Sequence, residues 1–95
     1  MGPEAKLQTR CLNRLRKMQE DGEKLWWSKI VGSPLQKRGT PDLLICRAGK
    51  LIAIEFKGPE GVISAMQAVE HRKIKNAGGI CEVVRTVEEF QEIMG

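Results

Sequence analysis

The stretch Gly39-Thr40-Pro41-Asp42-Leu43-Leu44-Ile45-Cys46-Arg47-Ala48-Gly49-Lys50-Leu51-Ile52-Ala53-Ile54-Glu55-Phe56-Lys57 constrains the fold more than any other. Two apolar runs flank a short turn, which predicts a β-hairpin. The turn is either Ala48-Gly49 alone or Arg47 to Lys50 with Gly49 at positive φ. Both loops are centred on the same point and give one register, in which Cys46 faces Leu51 and Asp42 faces Glu55. Directly opposed residues point to the same face with Cβ atoms about 4.5–5.5 Å apart. Period-two alternation puts Lys57 on that face as well.

Opposed carboxylates repel and destabilise a sheet. Either one of them takes a proton, or a cation sits between them. Mg²⁺ is a natural candidate, because it takes carboxylate oxygens and keeps waters for substrate phosphates. A lysine two residues on can hold an attacking water or neutralise charge developing on a phosphorane. The plainer alternative is a solvated strand end with a salt bridge between Glu55 and Lys57.

Gly39-Thr40-Pro41-Asp42 followed by Glu55-Phe56-Lys57 resembles the PD-(D/E)xK nuclease signature. More closely, it resembles the virus-type replication-repair nuclease (VRR-NUC) domain, whose pattern runs G-x-P-D, (I/V)-E-x-K, then a helix carrying a glutamine. Gln67 matches that last element, and Glu4 matches the N-terminal glutamate of the pattern. The resemblance covers nearly the whole chain. It implies that Asp42, Glu55 and the Phe56 main-chain carbonyl hold a metal, with Glu4 supporting the metal or its water. Lys57 would then act on the water or the transition state, and Gln67 would lie at the edge of the site.

The 95 residues read as one domain, 1–95, with 41% hydrophobic and 29% charged residues, as in an ordinary soluble globule. No apolar run approaches the ~20 residues of a membrane span, and the first residues do not read as a signal peptide. No membrane association and an intracellular, cytoplasmic setting are therefore expected, with a phage-encoded origin suggested by the resemblance alone. Cys11, Cys46 and Cys81 are odd in number, widely spaced and set among apolar neighbours, so they read as buried thiols in a reducing compartment. The net charge of +4 permits a polyanionic partner without requiring one.

Pro3 to about Asp21 reads as a helix, with Pro3 at its start and Asp21-Gly22 at its stop. Leu7, Cys11, Leu15 and Met18 form its apolar stripe. Glu4 falls at the N-terminal end of that stripe, either as an exposed first-turn acid or as a third acid aimed at Asp42 and Glu55. Lys6, Arg10, Arg14 and Lys17 form a basic ridge beside the stripe, without interleaved acids to relieve it. The ridge is either a solvated face or a seat for backbone phosphates. Lys37 and Arg38, in the loop before Asp42, are candidates for a phosphate contact beside the metal.

Lys24 to Val31 reads as a strand with Trp26 and Ile30 on one face. Either Trp27 is core and Trp26 exposed or the reverse, with a buried setting as the default for a tryptophan; an exposed one would stack on a base or fill a dimer interface. Val62 to Ala77 reads as a helix with Val62, Met66, Val69 and Ala77 on one side, Gln67 and His71 four apart on a flank, and His71 at the surface. Ile80 to Arg85 reads as a strand covered on both faces. With the preceding helix and strand it makes a parallel, right-handed βαβ unit. Thr86 and Glu89 form a capping box for a last helix, Val87 to Met94, anchored by Phe90, Ile93 and Met94.

The order α-β-β-β-α-β-α, with a mixed four-stranded sheet flanked by helices, resembles the restriction-endonuclease-like α/β core. The expectation is a Mg²⁺- or Mn²⁺-dependent DNA endonuclease, working as a homodimer on branched DNA such as a four-way junction. The alternatives are a nucleic-acid-binding module of the same fold without turnover, and a protein-interaction domain whose acid–lysine network is structural.

Overall fold

A computed structural model describes residues 1–32 and 37–95; part of the loop read from the sequence before Asp42, residues 33–36, lies outside them. The elements are α1 (Pro3–Glu20), β1 (Leu25–Lys29), β2 (Leu43–Arg47), β3 (Lys50–Phe56), α2 (Ala65–Asn76), β4 (Ile80–Val84) and α3 (Val87–Met94). The strands lie in the order β1-β2-β3-β4, with β1/β2 and β2/β3 antiparallel and β3/β4 parallel. This is the expected mixed sheet.

The hairpin has the expected register: Cys46 pairs with Leu51 and Leu43 with Ile54, so Asp42 and Glu55 come next, facing each other. Its turn is the two-residue form, with Ala48 and Gly49 both at positive φ, which matches the twist of the flanking strands. Alternation then divides the sheet. Leu43, Ile45, Ile52, Ile54, Phe56 and Val84 face a core shared with Leu7, Cys11, Leu12, Leu15 and Met18 of α1 and Phe90 and Met94 of α3. Asp42, Leu44, Ala53 and Glu55 face the other way, toward α2.

The third helix is as read from the sequence, with both arms of the Thr86–Glu89 capping box formed. The second helix differs. It begins at Ala65 behind an N-cap at Ser64, and Val62 (80% exposed) and Met66 lie on the outside while Glu70 and His71 are buried. The helix packs on β4 and reaches β3 through His71, so its inward side is fixed by these contacts and by the loop seated on its first turn, not by its most apolar stripe. Two further expectations are corrected. Cys46 is exposed, because it lies on the α2 side of β2, beyond the reach of α2. Trp27 packs half-buried against the core, its indole N–H donating to Gln19 Oε1 and Arg16 lying over its ring, but Trp26 is 59% exposed. Strand β4 is covered on both faces except at Glu82.

Candidate active site

The site lies where β2 begins and β3 ends, at the middle of the sheet. Asp42 is fixed by the hairpin itself: its Oδ2 accepts from the Phe56 N–H at 2.8 Å, while its carbonyl accepts from the Ile30 N–H at 2.7 Å. Glu55 is only 2% exposed. It lies between β2 and β4, opposite Val83, with α2 over it. Burial pushes its carboxyl up to about 8, and a hydrogen bond with Asp42 and repulsion from the same residue push the same way. The charge of Lys57 opposes this and that of Glu4 adds to it. Of the two ways to relieve an opposed acid pair, the raised value of Glu55 favours a proton wherever no cation is bound.

The loop before Asp42 is held by contact. Gly39 has φ +83°, and a Cβ there would lie 2.4 Å from the Met66 carbonyl oxygen. Only glycine permits that backbone to rest on the first turn of α2. The turn itself is closed by Ser64, whose Oγ accepts from the Gln67 N–H while Gln67 Oε1 accepts from the Ser64 N–H. Gln67 is therefore a capping residue directly under the Gly39 loop, and its side-chain oxygen is engaged in the cap.

Glu4 is exposed on the first turn of α1 and lines an open cleft of about 470 Å³ with Lys57 and the loop Gly58 to Val62. Arg85 fastens that loop, its Nη1 donating to the carbonyls of Gly58 (2.9 Å) and Gly61 (2.7 Å). A Cβ at Gly61 would lie 3.3 Å from Lys57 Cδ, so the lysine stem lies along this loop. The sequence reading missed Arg85, although the parallel unit pairs Phe56 with Val84 and so sets Arg85 beside Lys57. It also placed His71 wrongly. His71 is 6% exposed, with Nε2 3.4 Å from Glu55 Oε1. Its pKa is lowered, first by burial and then by Lys75. Glu55 thus pairs with His71, not with Lys57.

The basic residues are spread more widely. Lys6 and Arg10 line a groove with Arg85 at the start of α3, close to the site, whereas Arg14 lines another toward the far end of α1. Lys17 is paired with Asp21 at 3.1 Å, an i,i+4 contact that the reading of an unrelieved ridge passed over. Lys37 is paired with Glu70 at 3.0 Å, together with Lys73, and Arg38 is exposed. A concavity of about 660 Å³ runs from Lys37 to the hairpin turn and the end of α2 and is lined by neither Asp42 nor Glu55.

The order α-β-β-β-α-β-α around a mixed four-stranded sheet is a restriction-endonuclease-like core, and Asp42 and Glu55 face each other across its two central strands. No family model matches the chain, and no curated protein matches it. A solved structure described as a "VRR_NUC domain" superposes with a TM-score of 0.78 over 99% of this chain and 96% of that one, at 19% sequence identity. The chain has the fold of a VRR-NUC domain.

Proposed function

We propose that the protein is a divalent-metal-dependent endonuclease of the PD-(D/E)xK type that hydrolyses DNA phosphodiester bonds. The observation that carries this reading is the facing pair Asp42 and Glu55, one of them buried and pushed up to about 8. Such a pair is costly without a cation, and a cation bound there favours both ionised forms. Among the described residues no three of His, Cys, Asp and Glu are gathered to enclose an ion. Two carboxylates and the Phe56 carbonyl fit a metal that keeps several waters, which suits Mg²⁺ or Mn²⁺. When bound, the metal would supply an activated water and neutralise phosphate charge. Glu4 would act on it through water. Lys57, its stem held along the Arg85-fastened loop, brings a positive charge to the phosphate or the attacking water. Gln67 supports the site by capping α2 beneath the Gly39 loop.

Lys6 and Arg10, beside the cleft, are the best placed to meet backbone phosphates, and Arg14, Lys17, Lys37 and Arg38 extend the footprint. The finer reading is a homodimer that resolves branched DNA, with two sites set by a twofold axis. Phe90, Ile93 and Met94 are taken up by the core, which leaves Trp26 and Ile30 for the interface. Incubating labelled single-stranded, duplex, flap and four-way-junction DNA with and without Mg²⁺ or Mn²⁺ tests the proposal. Metal-dependent cleavage supports it, and a preference for the junction supports the finer reading. Metal binding without cleavage of any substrate replaces it with a binding module of the same fold, and no helix among the described residues is long and apolar enough to cross a membrane.

A further inference from the structure

Glu55 has a partner that the acid–lysine pattern does not include. His71 stands one turn after Gln67 on α2, at the point where the helix crosses the end of β3. Its ring is buried, and its Nε2 lies 3.4 Å from Glu55 Oε1. Its other flank borders a separate cleft of about 340 Å³, whose lining mixes apolar residues such as Ile63 and Val83 with the charged Arg72, Lys75 and Glu82. A buried imidazole needs a hydrogen-bond partner, and Glu55 is the one it has among the described residues.

We infer that His71 is a positioning residue. Its Nε2–H donates to Glu55 Oε1, fixing the carboxylate so that its other oxygen is presented toward Asp42, where the proposed metal would bind. The inference rests on the metal-dependent reading above. The geometry supports it in two ways. A carboxylate at a strand end has two free torsions before its carboxyl group, and the contact from His71 Nε2 to Oε1 restricts them from the α2 side. His71 itself is held, because α2 is fixed at its start by the Ser64–Gln67 cap and by the seat of Gly39 on Met66. The same cap and seat that place the Asp42 loop therefore also place the group that orients Glu55. Partners that orient metal-binding side chains typically contribute 10–100-fold to metal affinity.

The test uses calorimetric Mg²⁺ titration of the parent, His71→Gln and His71→Leu, with circular dichroism as a check on folding. Glutamine can place an N–H near the Nε2 position, whereas leucine fills the space without a donor. The expected result is a 10–100-fold loss of Mg²⁺ affinity in His71→Leu and recovery of most of it in His71→Gln. The Mn²⁺ concentration for half-maximal cleavage should shift in parallel while the DNA KM stays unchanged. Equal affinity in all three proteins overturns the inference and leaves the metal site standing. A parent that binds no metal overturns both. His71 is the sole histidine, so its ring gives unique nuclear magnetic resonance signals in the unaltered protein, whether or not the variants fold. In the Mg²⁺-loaded parent the ring nitrogens should report the Nε2–H tautomer. A proton on Nδ1 alone overturns the assignment.

Discussion

Without metal, Glu55 should make the fold weaken as the pH rises. Its folded value of about 8 stands above the ordinary value of 4.5, so the folded state holds a proton that the unfolded chain releases. That contribution is full at pH below 4.5 and is lost as the pH rises through about 8. Worked through the linkage relation, it still amounts to about 2 kcal/mol near pH 6.5 and to almost nothing near pH 8.5. A domain of this size has about 5–14 kcal/mol in total, so the loss should lower Tm by roughly 10 °C. His71 acts with the opposite sign, but only as the pH falls through its ordinary value of 6.5, at the lower edge of this window. The thiols of Cys11 and Cys81, pushed up to about 11 by burial, add to the fall only as the pH approaches their ordinary value of 9.0. Glu55→Gln removes the glutamate's share and keeps the others. In chelator, the parent should lose stability to urea between these two pH values, and Glu55→Gln should lose much less and be the more stable protein at the upper one. Saturating Mg²⁺ should flatten the parent's slope, because the ion takes the place of the proton. A parent whose metal-free stability is flat or rises across this window, with Glu55→Gln tracking it, would refute the reasoning.

Asp42→Asn and Glu55→Gln should each abolish cleavage with the fold intact, as read on the best DNA substrate alongside circular dichroism; parental rates in both would remove the acid pair from catalysis. Lys57→Ala should lower turnover more than it lowers metal affinity, whereas Glu4→Gln should weaken metal binding or activity about tenfold. Gly39→Ala should cost about 2–4 kcal/mol in urea denaturation, since it combines a left-handed φ with a Cβ set against the Met66 carbonyl; a loss within experimental error would show that the loop can move off α2. Light scattering should give a dimeric mass at micromolar concentration, with DNA binding that weakens steeply with salt; a monomeric mass both free and junction-bound would remove the dimer.

What the sequence made legible is what short-range geometry determines. The hairpin register needed only a two-residue turn and period-two alternation, and Asp42 and Glu55 followed from it. The last helix carried its own boundaries in Thr86 and Glu89. The stripe Leu7-Cys11-Leu15-Met18 is regular enough that α1 had one way to face the core. Lys17 and Lys37 were harder to read. A lysine's partner is set by side-chain reach across a helix turn or between elements, as with Asp21 and Glu70, and composition along the ridge does not reveal it.

The inward side of α2 was illegible for a more instructive reason. Hydropathy assigns the buried face to Val62, Met66 and Val69, but a helix over a sheet buries whatever the crossover turns inward. Here the crossover is fixed from outside the helix, by the Gly39 loop resting on Met66 and Gln67 and by the parallel pairing of β4 with β3. The residues turned inward include Glu70 and His71, which are tolerated there because each meets a polar partner: Lys37 and Lys73 for the first, Glu55 for the second. Burial of an ionisable residue is costly unless it is paired, so such a face becomes readable only once the partners' positions are known. Two of those partners, Lys37 and Glu55, lie on the hairpin or its approach, as does the Gly39 loop seated on α2. The same segment that sets the acid pair therefore also sets the helix that covers it, and a substitution that shifts α2, such as Gly39→Ala, should disturb Glu55 through His71 before it disturbs the core on the opposite face of the sheet.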